Sequence, residues 1–84
     1  MNIVVHPRVL QKRPWLTVDD IYRAVQNPIA QRTRSTTPMV VAGIGYDMGL
    51  REIEWLAAVD DNDWLVYHAQ DNPTTKFRIE VNLL

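Results

Sequence analysis

The sequence predicts an α+β fold, in which two N-terminal helices pack on a three- or four-stranded antiparallel sheet and a helix or strand ends the chain. Apolar residues recur at helical spacing over residues 16–28, whereas beyond residue 29 they alternate with polar residues, which is typical of strands. The connections between the alternating segments are short, which favours antiparallel neighbours. A chain of 84 residues is expected to form one domain, residues 1–84, with a thin core.

The first helix is predicted in HPRVLQKRP, residues 6–14. His6 stands at the N-cap position, and Pro7 suits the first helical position because its missing N–H would have no helical partner there. Pro14 disfavours continuation of the helix beyond Arg13.

The second helix is predicted in LTVDDIYRAVQNP, residues 16–28, and has the clearest signals in the chain. Thr17 is a favourable N-cap, and Asp20 three residues later resembles the partner residue of a capping box. Asn27 and Pro28 end the helix, since proline cannot continue the hydrogen-bond ladder.

Four segments show strand patterning. In the best of them Ile53 and Trp55 share one face, and Glu52 and Glu54 share the other. The glycines of GIG in an earlier segment indicate a bulge or the close approach of another backbone. The four predicted strands are IAQRTR (29–34), PMVVAGIGY (38–46), LREIEWLAAV (50–59) and WLVYHA (64–69).

The tail NPTTKFRIEVNLL, residues 72–84, fits two structures. Asn72 can cap a helix with Pro73 just inside it, which would turn Phe77 toward the core. Apolar and polar residues also alternate from Lys76 onward, as in a strand. The pattern favours the helix slightly and leaves the strand open.

Composition and charge narrow the class of protein. The chain lacks cysteine, so it has no disulfides, which favours a reducing compartment such as the cytoplasm. No signal peptide core or membrane span is expected, because no apolar run approaches about 18 residues. Residues 1–34 carry six cations against two acids, and residues 35–84 carry three against eight, so the N-terminal half is basic. That half could meet an anionic partner or pair with the acidic half of the same fold.

Three stretches of the sequence resemble the small BrnT-like toxins of bacterial toxin–antitoxin pairs, whose fold is related to RelE-type ribonucleases. They are HPRVLQKRPWLTVDDIYRAVQNP, GIGYDMGLREIEWLAAVDDNDWLVYHA and NPTTKFR. The sequence departs from the family pattern where Pro7 separates His6 from Arg8 and where the tail alternates. The resemblance implies a cytoplasmic, metal-independent endoribonuclease that a cognate antitoxin protein holds inactive.

Such an enzyme needs an acid–base group and cations that stabilise charge on the phosphoryl oxygens. His68 is the expected acid–base group, and by strand alternation it would share a face with Trp64 and Val66. Arg51 is the expected phosphate clamp, although a buried carboxylate would equally explain an arginine at the rim of the core. Lys76 or Arg78 would supply a second cation, and on a helix only one of the two can reach His68.

The basic cluster at the N-terminus is the predicted surface for RNA or a protein partner. It comprises His6, Arg8, Lys12 and Arg13, and His6 is more simply explained as an N-cap. No metal or other cofactor is expected, because two histidines 62 positions apart and no cysteine show no ligand spacing. The alternative function is a non-catalytic module of the same fold that binds a protein or nucleic acid. The sequence leaves open whether the chain forms a homo-oligomer.

Overall fold

A computed structural model describes all 84 residues. The strands are β1 (Asn2–Val5), β2 (Pro28–Thr36), β3 (Met39–Tyr46), β4 (Glu52–Asp60) and β5 (Asp63–Asp71), and the helices are α1 (Pro7–Lys12), α2 (Val18–Gln26) and α3 (Thr75–Glu80). The five strands form one sheet in the order β1-β5-β4-β3-β2. Strands β2 to β5 are antiparallel neighbours, whereas β1 lies parallel to β5.

The predicted fold of two N-terminal helices on a three- or four-stranded antiparallel sheet was wrong. The chain begins with a strand, and the sheet has five strands and is mixed. The error arose because the segment NIVV is only four residues long and each of its residues pairs with a residue of β5 that lies 61 positions later. Short connections predict hairpins, but a parallel pair needs a long crossover and leaves no local signal.

The two faces of the sheet carry separate cores. Helices α1 and α2 cover one face, where they bury Val9, Ile21 and Val25 against Trp55 and Val66. Helix α3 covers part of the other face, which we call the α3 face. Its small core consists of Ala42, Ile44, Phe77 and Val81, with Ala30, Leu56 and Leu83 packed around it.

Local signals placed the start of α2 correctly. Thr17 accepts a hydrogen bond from the Asp20 backbone N–H, and the Asp20 carboxylate accepts one from the Thr17 N–H, so the predicted capping box is confirmed. The tail is helical over Thr75–Glu80, and Thr74 caps it in place of the expected Asn72. None of the three helices has the length and apolar character needed to cross a bilayer.

Candidate functional site

A bulge in β5 decides where His68 points. Leu56 of β4 pairs with His68, but the next residue, Ala57, pairs with Val66, so Tyr67 is an extra residue in β5. Because side chains alternate along a strand, one extra residue moves everything beyond it to the opposite face. His68 therefore lies on the α3 face, and the prediction that it shares a face with Val66 was wrong.

The His68 ring is hydrogen-bonded to a buried carboxylate. Its Nε2 lies 2.8 Å from Oε2 of Glu54, whose side chain is only 5% exposed. The other oxygen of Glu54, Oε1, accepts a hydrogen bond of 3.0 Å from the backbone N–H of Thr74. Both carboxylate oxygens are thus occupied, which holds the carboxylate in one orientation.

This arrangement selects one form of the neutral imidazole. An ionised carboxylate can only accept hydrogen bonds, so the ring proton sits on Nε2 and donates to Glu54. Nδ1 then keeps its lone pair and forms no hydrogen bond within the protein. A histidine held in this way by a carboxylate is prepared to accept a proton, as in enzymes that use histidine as a general base.

A cavity of about 490 Å³ opens beside His68, between α1 and β5. Strand β1 pairs with β5 only as far as Val66, so the edge of β5 beyond that point is left open to the cavity. The lining includes Tyr67 and His68 from β5 and three cationic side chains from α1 and the residue after it, and it contains no carboxylate. The three cations are Arg8, Lys12 and Arg13. The cavity therefore favours an anionic ligand.

The three cations differ in whether their side chains already have partners within the protein. Arg13 donates from Nη2 to Oε1 of Gln70 at 2.8 Å, which fixes its side chain along β5. Arg8 and Lys12 form no ion pair and remain available to a ligand. His6, the fourth member of the predicted basic cluster, does not line the cavity; it caps α1, with Nδ1 accepting from the Arg8 backbone N–H.

Arg51 lies apart from His68 and is already paired. Its Nε donates to Oδ2 of the buried Asp47 at 2.8 Å, and its Nη2 lies 3.3 Å from Oδ2 of Asp20 on α2. Burial opposes ionisation of Asp47, but hydrogen bonds from the Arg51 backbone and side chain outweigh it and lower the pKa of Asp47. Asp47 thus supplies the buried carboxylate that was one of the two explanations for Arg51.

The two cations of the tail do not line the cavity either. Arg78 binds Glu52 through two hydrogen bonds of 3.0 and 2.9 Å, and this pairing lowers the pKa of Glu52. Lys76 is exposed on α3 and forms no ion pair. Among the residues predicted for the site, the structure brings together His68, Arg8, Lys12 and Arg13, and it leaves Arg51, Lys76, Arg78 and His6 elsewhere.

Sequence reasoning missed the residue that positions His68. The strand pattern places Glu54 on the face opposite Ile53 and Trp55 and gives no sign that this face is covered. It is 4% exposed because α3 covers that face. The available signal was the helix predicted for the tail. A helix on the second face of the sheet would bury the polar residues of β4 beneath it, and those residues would then require hydrogen-bond partners.

An arginine–glutamate pair between β2 and α3 makes stability depend on pH. Arg34 binds Glu80 through hydrogen bonds of 2.7 and 2.6 Å, and this pairing lowers the pKa of Glu80 below its ordinary value of 4.5. The folded protein therefore binds fewer protons than the unfolded chain in the acid range. This stabilisation is complete above the unfolded pKa and is lost as the pH falls through the folded pKa.

We expect Glu80→Gln to destabilise the protein at about pH 6, by about 1 kcal/mol or less because the pair is partly exposed to solvent. The difference from the wild type should be smaller at about pH 3, below the ordinary pKa of 4.5, where Glu80 of the unfolded wild type is largely protonated. Urea unfolding of both proteins at the two pH values measures it. A difference that stays the same at both pH values would show that Glu80 does not stabilise the fold through its charge.

No family model, curated protein or solved structure matches the chain. The structure contains no group of three or more metal-ligating side chains. Function is therefore inferred from the chemistry of the His68 cavity itself.

Proposed function

We propose that the protein is a metal-independent endoribonuclease and acts in the cytoplasm as the toxin of a bacterial toxin–antitoxin pair. The observation that carries this proposal is the pairing of His68 with the buried Glu54 beside a cavity lined by Arg8, Lys12 and Arg13. The pair supplies a potential general base on the α3 face, and the cations, carried by α1 over the other face at the open edge of β5, can hold a phosphate. The resemblance of three sequence stretches to BrnT-like toxins supports the biological role, with a cognate antitoxin protein as the partner.

In the proposed reaction the RNA backbone binds with one phosphate against Arg8 and Lys12. His68 takes the proton of the adjacent 2′-hydroxyl on Nδ1, and Glu54 stabilises the imidazolium that forms. The 2′-oxygen then attacks phosphorus, the bond from phosphorus to the 5′-oxygen breaks, and a 2′,3′-cyclic phosphate results. Tyr67 lines the cavity, and its phenolic hydroxyl can donate a proton to the departing 5′-oxygen.

The first experiment measures cleavage of a labelled RNA by the purified protein in the presence of EDTA. We expect the wild type to cleave it and His68→Ala to lose about 10²- to 10⁴-fold in rate, the usual contribution of general base catalysis. His6→Asn is the matched control: it removes the other histidine, while asparagine keeps the N-cap of α1. Intact RNA after incubation with the folded wild type would overturn the proposal.

A growth experiment tests the biological role. We expect induction of the wild-type chain alone to arrest a bacterial host, and His68→Ala at the same soluble level to relieve the arrest. Unimpeded growth with soluble wild type would count against a toxin.

The second candidate is a non-catalytic module that binds an anionic partner in the same cavity. It is favoured by one observation: Arg51 and Arg78, the cations expected to assist catalysis, are already bound to carboxylates. This alternative requires that folded wild type leaves RNA intact but binds it, and that charge reversal at Arg8 and Lys12 abolishes binding while His68→Ala does not.

A further inference from the structure

Helix α3 leaves part of its sheet face uncovered. Leu56 packs beneath α3, and Ala58, two residues further along β4, faces the same way. Ala58 pairs with Leu65 of β5, and Leu65 pairs with Val4 of β1, so all three side chains continue the α3 face. Val4 is 50% and Leu65 is 39% exposed, because the six-residue α3 ends before reaching them.

These side chains border an apolar cleft of about 860 Å³ at one end of the sheet. Met39 and Trp64 add to its apolar lining, and Met39 is itself 39% exposed. An exposed apolar depression of this size is typical of an interaction site.

The cleft carries a strong negative charge. Asp60, Asp61 and Asp63 line it, and no lysine or arginine does. None of the three forms an ion pair, although Asp63 accepts a hydrogen bond from the side chain of Asn2. RNA and anionic lipid surfaces would be repelled there, whereas a cationic ligand would gain from both the charge and the apolar surface.

We propose that this cleft binds an amphipathic, cationic segment of a partner protein. Apolar side chains of that segment would cover Val4 and Leu65, and its lysine or arginine residues would pair with the three aspartates. This is the arrangement by which an amphipathic helix lies in an apolar groove. Helix α1 of a second copy is basic but unsuitable, because its apolar residues Val9 and Leu10 pack into its own core.

The inference is independent of the proposed ribonuclease activity. The cleft and the His68 cavity share no lining residue, so a ligand can occupy one without contacting the other. Loss of RNA cleavage in His68→Ala would leave the cleft unaffected, and blocking of the cleft would leave the general base intact.

The test is a titration of the ¹⁵N-labelled protein with three synthetic peptides. The readout is the change in the backbone amide NMR shifts of the protein. The first peptide places leucine on one helical face and lysine on the other, the second scrambles the same residues, and the third replaces lysine by glutamate. We expect the first alone to bind, with shifts confined to residues around Leu65 and Asp61. Binding of the scrambled or acidic peptide with equal affinity, or shifts centred on Arg8 and His68, would overturn the proposal.

Three variants sharpen the result. Leu65→Lys, and Asp60→Asn combined with Asp61→Asn, should each weaken binding of the first peptide about tenfold or more. Asn accepts the left-handed backbone that Asp61 adopts, so the turn is kept. Ile79→Lys, a control at an exposed apolar position of α3 outside the cleft, should leave binding unchanged. A concentration-dependent dimer that Leu65→Lys dissociates would instead identify a second copy as the occupant and overturn the proposal.

Discussion

Gly45→Ala is expected to destabilise the protein by about 3 kcal/mol, at the upper end of the usual cost of overpacking a core. A Cβ atom on Gly45 would lie 1.9 Å from the backbone carbonyl oxygen of Ala24 in α2. Since the obstructing atom belongs to the backbone, no side-chain rotation relieves the clash, and α2 must move away from β3. That movement would disturb the packing of Ile21 and Val25, which are almost fully buried.

The size of this effect matters because a domain of this length is stable by only about 4–13 kcal/mol. Urea unfolding at constant m-value measures the change. Gly49→Ala is the matched control: its Cβ would meet nothing closer than Oδ1 of Asp47 at 3.6 Å, and Gly49 does not have a positive φ. Gly49→Ala should be neutral or slightly stabilising. Equal unfolding midpoints for the two variants would contradict the close approach of α2 to β3.

Glu54→Gln is expected to lower RNA cleavage about 10²- to 10⁴-fold by changing the tautomer of His68. The side-chain oxygen of glutamine must still accept the Thr74 N–H, which Oε1 of Glu54 accepts in the wild type. The amide NH₂ group then faces Nε2 of His68, where the carboxylate had accepted a hydrogen bond from the ring N–H. Nε2 can only accept from an amide N–H, so the ring proton moves to Nδ1 and the lone pair needed for catalysis is lost.

The tautomer can be measured without any RNA. Ring ¹⁵N shifts of neutral His68 should report a proton on Nε2 in the wild type and on Nδ1 in Glu54→Gln. Glu52→Gln is the control, since Glu52 lies on the same strand but pairs with Arg78 and not with His68. If the tautomer changes but the cleavage rate does not, the hydrogen bond to Glu54 has no role in cleavage and His68 is not the base. An unchanged tautomer would refute the hydrogen-bond arrangement itself.

Much of the secondary structure could be predicted because its signals are local. The capping box of Thr17 and Asp20 closes within one helical turn, so the residues that form it are adjacent in sequence. The glycines of GIG indicated a bulge or a close backbone approach, and Gly45 against Ala24 shows that the second alternative holds there. The strand order could not be predicted in the same way, because β1 pairs with β5, whose residues lie far from it in the sequence.

The sequence by itself determined where α1 and α2 begin, which segments between residues 29 and 69 alternate as strands, and that the N-terminal half is basic and the remainder acidic. Only the tertiary structure decided which charged groups meet. The extra residue Tyr67 turned His68 toward Glu54, and the cover of α3 made that carboxylate a buried partner. Arg51 pairs with Asp47 and Arg78 pairs with Glu52, whereas Arg8 and Lys12 form no ion pair. The physical reason is that a cap or an alternation depends on near neighbours, whereas the partner of a side chain depends on strand order and on a single bulge.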